Sequence, residues 1–185
     1  MGDSAVSPDR GPHAGDASGA PLLMVDIDGV ISLFAGEGAR FDSVPDPSAG
    51  GRFHSIEGIP HFLSAIAAAH LLALVEHFEL VWASGWEERA DEHLPHLLGL
   101  PRGMPFLRFD RAVGRSNAHW KLAAIEHYAG ERPLAWIDDA LDGHCHAWAE
   151  RRAAPTLLVQ TDPHQGLTDA EAAVLMRWAQ GLQAR

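Results

Sequence analysis

The chain has 185 residues, of which 46% are hydrophobic and 21% charged, a composition inside the globular range and outside the disordered, collagenous and membrane ranges. That length sets one domain, able to bury roughly two-thirds of the surface its unfolded chain exposes. Twenty-five acidic residues against fourteen basic ones leave a formal charge of −11, which opposes broad attraction to phosphate backbones or anionic lipid, and a single cysteine, Cys145, excludes an internal disulfide and a cysteine-rich zinc site.

Residues 1–20 are dominated by Gly, Ser, Ala, Pro, Asp and His, the composition of a flexible tail ahead of a domain over 21–185. They lack the basic start and apolar run of a secretory signal. No later stretch reaches the roughly 18 apolar residues of a membrane span, so the expected setting is cytoplasmic, with no membrane partner. From Pro21 onward, short apolar runs alternate with segments of helical periodicity, the pattern of a parallel sheet covered by helices. Strands are predicted at 22–27, 80–83, 106–109, 134–137 and 156–160, and helices near 65–78, 87–98, 117–128, 142–152 and 168–182. Ser64, Asn117 and Thr168 are the predicted caps, the last with Glu171 at the capping-box position. Residues 31–63 hold Gly36, Gly38, Pro45, Pro47, Gly50, Gly51, Gly58 and Pro60, which forbid a long helix and predict turns or a hairpin. An insertion of that length reads as a flap.

Ligands in a parallel α/β sheet bind beyond the carboxyl ends of the strands. The first strand runs into Val25-Asp26-Ile27-Asp28-Gly29-Val30, the second into Val81-Trp82-Ala83-Ser84-Gly85-Trp86, and the fourth into Trp136-Ile137-Asp138-Asp139. The helix before the fourth strand carries Lys121, the only lysine in the chain. Clustered carboxylates raise one another's pKa and are costly to desolvate unless a cation sits among them. Oxygen donors with no Cys or His cluster fit a hard cation, Mg²⁺ above all.

This ordered set resembles the haloacid dehalogenase (HAD) superfamily in its phosphatase branch. Asp26, Asp28 and Val30 match its first motif, Ser84 its second, Lys121 its third, and Asp138 with Asp139 its fourth. The resemblance implies an α/β, HAD-like Rossmannoid three-layer sandwich with a five-stranded parallel sheet in the order 3-2-1-4-5. It implies a Mg²⁺-dependent phosphatase in which Asp26 is the nucleophile and forms an aspartyl-phosphate, while Asp28 is the general acid. By the same resemblance Ser84, Gly85 and Lys121 bind the phosphate, and Asp26, Asp28 through its backbone carbonyl, and Asp138 hold the metal, with Asp139 in or beside that shell. Dehalogenases lack the second Asp of the first motif, so Asp28 favours a phosphate ester as substrate.

The phrases Phe78-Glu79-Leu80-Val81-Trp82-Ala83-Ser84-Gly85-Trp86-Glu87-Glu88 and Pro133-Leu134-Ala135-Trp136-Ile137-Asp138-Asp139-Ala140 are similar to the HAD domains of "Swiss Army knife" RNA-repair proteins. That likeness implies nucleic-acid ends as one substrate class beside small phosphorylated molecules. No large cap domain fits either insertion point, and by resemblance a capless site accepts large substrates or borrows a lid from a partner subunit. Trp86, Arg40, Arg52 and His54 are within conceivable reach of a substrate.

Two rival readings use the same residue types. One is a catalytically silent phosphate-binding relative; the other is a receiver-like signalling module, in which the acidic pair comes first and the lysine last, the reverse of the order here. Asp142, four residues after Asp138, reads equally as a site acid or as a helix N-cap. His144-Cys145-His146 and His93-x-x-His96 are spaced like metal ligands, but twelve histidines make chance pairs common. Positions 144 and 146 lie about 200° apart around a helix and do not share one ion with each other. Trp120 reads as packing, and the role of His119 is left open.

Overall fold

Leu22–Val25 forms β1, and all four of its side chains are buried because successive residues point to opposite faces of a sheet covered on both sides. The computed structural model describes residues 19–35, 50–109 and 117–184. The predicted tail lies outside the described residues apart from Gly19 and Ala20, as does Arg40.

After β1 come β2 (Ser32–Leu33), β3 (Gly51–Ile56), β4 (Ile59–Ser64), α1 (Ala65–Leu74), β5 (Glu79–Trp82), α2 (Arg89–Leu98), a 3₁₀ turn (His119–Lys121), α3 (Leu122–Ala129), β6 (Leu134–Asp138), α4 (Gly143–Arg151), β7 (Thr156–Gln160) and α5 (Asp169–Gln183). The main sheet is parallel, in the order β5-β1-β6-β7. Leu23 and Val25 pack with α1, α2 and α5 on one face; Leu22 and Met24 pack with α3 and α4 on the other. These are the three layers of a HAD-like Rossmannoid fold, with the predicted strands 1, 2, 4 and 5 in their predicted order.

The third predicted strand, 106–109, is reduced to one parallel bridge between Phe106 and Trp82, on the side of β5 where the order 3-2-1-4-5 places it. The Trp82 amide donates to the Pro105 carbonyl at 2.8 Å, and the Leu107 amide donates to the Trp82 carbonyl at 2.9 Å. Pro105 has no N–H to extend the ladder. The Phe109 amide donates instead to the Glu87 carboxylate at 2.9 Å, so pairing stops after one rung.

Between β1 and α1, the described part of 31–63 is a three-stranded antiparallel sheet in the order β2-β4-β3. β3 and β4 form a hairpin closed by Glu57-Gly58, both at positive φ (51° and 81°), as a two-residue turn matching the twist of the flanking strands requires. The helices are shorter than predicted at several ends. Residues 75–78 leave α1, and residues 87 and 88 belong to the turn after Ser84. Asn117 is not a helix cap: Ala118 precedes the 3₁₀ turn, and its amide is taken by the Ala140 carbonyl at 2.9 Å, which draws the chain tight before α3 begins. Ser64 and Thr168 do cap α1 and α5, the latter in a full capping box with Glu171. No helix among the described residues is long and apolar enough to cross a membrane.

Candidate active site

The carboxyl ends of β1, β5 and β6 converge because parallel pairing fixes their register, Val25 lying beside both Trp82 and Ile137. Asp26 is the first residue beyond β1 and Asp138 is the last residue of β6. The Asp26 amide donates to the Ile137 carbonyl at 3.0 Å, which sets the two carboxylates side by side. Lys121, 3% exposed at the end of the 3₁₀ turn, reaches between them: its Nζ lies 2.9 Å from Asp26 Oδ2 and 2.7 Å from Asp138 Oδ2. Asp138 Oδ1 accepts the Ala140 amide at 2.9 Å.

Burial alone would pull the Lys121 pKa down; the charges of Asp26 and Asp138 outweigh it and hold the ammonium above its ordinary value. Burial raises the Asp138 carboxyl, and the charge of Asp26 raises it further against the opposing pull of Lys121. Asp139 is pushed up to about 6 by the same two causes, burial first and then Asp26. One lysine therefore does not neutralise the cluster. Donor atoms of Asp26, Asp138 and Asp139 lie within 4.8 Å of one another, so these residues fit a hard divalent cation in donor type, spacing and uncompensated charge.

Gly29 makes the arrangement possible. It has φ 76°, and a Cβ there would stand 2.4 Å from Asp139 Cγ, so a side chain at 29 would expel Asp139 from the cluster. The Gly29 carbonyl accepts the Thr161 hydroxyl at 2.9 Å, tying the loop after β1 to the end of β7.

Ser84 follows β5, is 1% exposed, and its hydroxyl has no hydrogen-bond partner among the described residues. An orphaned buried hydroxyl costs free energy unless a ligand satisfies it. Asp28 lies across the cleft, where Trp86 Nε1 donates to its Oδ2 at 3.2 Å. The Trp86 ring meets the His61 ring edge-on at 4.8 Å, and His61 Nδ1 lies 3.0 Å from the Ser32 hydroxyl. The hairpin thus braces the residue that holds Asp28.

A cleft of about 440 Å³ opens beside them, walled on one side by Ile56, Glu57, Ile59 and His61 of the hairpin and on the other by Trp120 and Asn117; Ser84 is not among its lining residues. Arg89 ties the hairpin to the turn after β5: its guanidinium lies 3.1 Å from Glu57 Oε2 and donates to the Gly85 carbonyl at 3.3 Å. Asp26, Asp28, Gly85, Lys121, Asp138 and Asp139 all line the cleft, with Trp86. Arg52 and His54 are not among the lining residues; they bond to each other at 3.2 Å on β3. His61, Glu57 and Arg89 escaped the sequence reading, because their place depends on a hairpin fold that no short motif encodes. Asp142 is the N-cap of α4, its Oδ1 accepting the His144 and Cys145 amides. The Cys145 thiol is fully buried and is pushed up to about 11, chiefly by burial, which leaves it unreactive.

The family whose members are described as the HAD domain in Swiss Army Knife RNA repair proteins matches this chain over residues 22–172. No curated protein matches it.

Proposed function

The chain belongs to this HAD-domain family, and on that premise we propose that it is a Mg²⁺-dependent phosphoric monoester hydrolase acting through an aspartyl-phosphate on Asp26. The observation that carries the reading is Lys121 held between Asp26 and Asp138 at 2.9 and 2.7 Å, in a cleft that also presents Asp28.

Phosphoryl transfer requires an anionic nucleophile to approach an anionic group, so fixed positive charge and positioning supply most of the catalysis. Lys121 holds Asp26 Oδ2, which leaves Oδ1 to attack phosphorus. The Oδ1–P bond forms as the bond to the leaving oxygen breaks, and that oxygen takes a proton from Asp28. Because the indole N–H only donates, Asp28 Oδ2 is committed as an acceptor to Trp86, and the transferable proton sits on Oδ1. In the second half, Asp28 takes a proton from water as its oxygen attacks the phosphoryl group, releasing inorganic phosphate and restoring the Asp26 carboxylate. Asp26, Asp138, Asp139 and the Asp28 backbone carbonyl would hold Mg²⁺, which when bound neutralises charge on the phosphoryl oxygens. Ser84 gives its unspent hydroxyl to a phosphate oxygen, and the hairpin residues Ile56, Ile59 and His61 exclude bulk water.

The substrate is a phosphorylated small molecule or the terminal phosphate of a nucleic acid. A formal charge of −11 favours an end over a long backbone. Phosphate release from an aryl phosphate and from 3′- and 5′-phosphorylated oligonucleotides, with Mg²⁺ and with EDTA, tests the reading. Metal-dependent release that disappears in Asp26→Asn is expected. Release retained by that variant contradicts the nucleophile, and no release by a folded wild-type protein that binds Mg²⁺ points to a narrower substrate range or to a silent phosphate-binding module.

A further inference from the structure

A second convergence of ligand atoms lies apart from the carboxylate cluster. His119, in the 3₁₀ turn, places its Nδ1 2.6 Å from Asp142 Oδ2; His144, in the first turn of α4, places its Nδ1 3.8 Å from the same oxygen. The two imidazole rings face each other at 4.8 Å, tilted by 51°. One donor atom from each of the three residues lies within 4.8 Å of the others. We propose that His119, Asp142 and His144 form a binding site for a first-row transition-metal dication of the Zn²⁺ type.

The distances are close to those such an ion requires. Bonds of about 2.0–2.2 Å in a tetrahedral site separate neighbouring ligand atoms by roughly 3.3–3.5 Å. The two observed contacts, 2.6 and 3.8 Å, bracket that range. The shorter one is a hydrogen bond whose proton an ion replaces, and the His144 side chain, 78% exposed, has room to turn inward.

The carboxylate is already oriented for the task. Its Oδ1 accepts the amides of His144 at 3.0 Å and Cys145 at 3.1 Å, which turns Oδ2 towards both imidazoles. Fixed outer-shell hydrogen bonds of this kind position a ligating carboxylate. The positive end of α4 works against a cation here, but those two amide donors are already spent on Oδ1, and a dipole effect at an exposed helix end is small beside a coordination bond.

Donor chemistry separates this site from the carboxylate cluster. Two imidazole nitrogens and one oxygen, open to solvent on the remaining side, suit Zn²⁺ or Co²⁺; three carboxylates suit Mg²⁺. The ion would also have a structural effect. His119 shares its turn with Lys121, and Asp142 begins α4 just beyond Asp138 and Asp139, so one ion clips together the two segments that bring the lysine to the acidic pair.

Visible absorption of Co²⁺ added to the full chain in millimolar Mg²⁺ tests the site. One Co²⁺ per chain with ligand-field bands, displaced by Zn²⁺, is expected, and both His144→Ala and His119→Ala should weaken binding at least about tenfold. Binding unchanged in His144→Ala overturns the proposal even if His119→Ala fails to fold, because His144 is exposed and its loss leaves the helix intact. Weakening by Asp26→Asn, displacement by Mg²⁺, or no Co²⁺ uptake overturns it equally.

Discussion

Trp86 shows how much one donor atom can decide. Its indole is mostly buried, and its N–H meets Asp28 on Oδ2, the oxygen that under the proposed mechanism does not carry the proton. Trp86→Phe keeps an aromatic ring beside His61 and deletes that donor along with the five-membered ring that carries it. A hydrogen bond to a charged group is worth about 1.5–3 kcal/mol, so turnover of alkyl phosphates should fall roughly tenfold or more, while activated aryl phosphates, which need little protonation, stay within about twofold. A kcat series across leaving groups reads this; an equal loss on every substrate would contradict the positioning role. The positions of Asp26, Asp28, Ser84, Asp138 and Asp139 were legible in the sequence because strand ends are places a pattern can locate, and Lys121 stood out as the only lysine; Glu57 and Arg89, which also line the cleft, were not. The bracing of Asp28 through Trp86, His61 and Ser32 was not, since His61 and Ser32 arrive from a separate antiparallel sheet. Gly29 was visible as a glycine, but its need for both positive φ and space for Asp139 is a tertiary fact.

The elements divide in a similar way. Parallel strands buried on both faces announce themselves as unbroken apolar runs, so β1, β5 and β6 were readable, and the edge strand β7, only partly buried, still shows the run Leu157-Leu158-Val159; residues 106–109 are interrupted by Arg108, and Pro105 and the Glu87 carboxylate end their pairing after one bridge. Glycine and proline placed the hairpin in the insertion without fixing its register. Ser64 joins that hairpin to the first helix: its amide donates to the Ile31 carbonyl at 2.9 Å and its hydroxyl accepts the Ala67 amide at 3.0 Å. Ser64→Ala removes the cap and leaves the strand bond in place. Thermal or denaturant unfolding should register a loss of about 1 kcal/mol, with the metal-dependent activity of the remaining folded protein unchanged. A loss of several kcal/mol would mean that the hairpin, and not α1 alone, depends on this hydroxyl.

Across the whole molecule, two apolar layers on either side of one parallel sheet deliver three strand ends to a common edge, and an antiparallel hairpin closes over them. Lys121 is the cation held within the carboxylate cluster, so under the proposed function capture of a phosphoryl group would depend on that lysine and on the ion the carboxylates would hold. The proposed mechanism requires Asp26 to become covalently phosphorylated. Asp28→Asn should slow hydrolysis of the intermediate more than its formation from an aryl phosphate, because formation with a good leaving group needs no acid and hydrolysis still needs a base. The most direct measurement is therefore mass spectrometry of acid-quenched Asp28→Asn protein after mixing with an aryl phosphate and Mg²⁺. Phosphate on the peptide carrying Asp26, absent when Asp26→Asn is added to the same chain, is the predicted result. Turnover with no phosphorylated peptide at any quench time, or a phosphate found on another residue, would contradict the account.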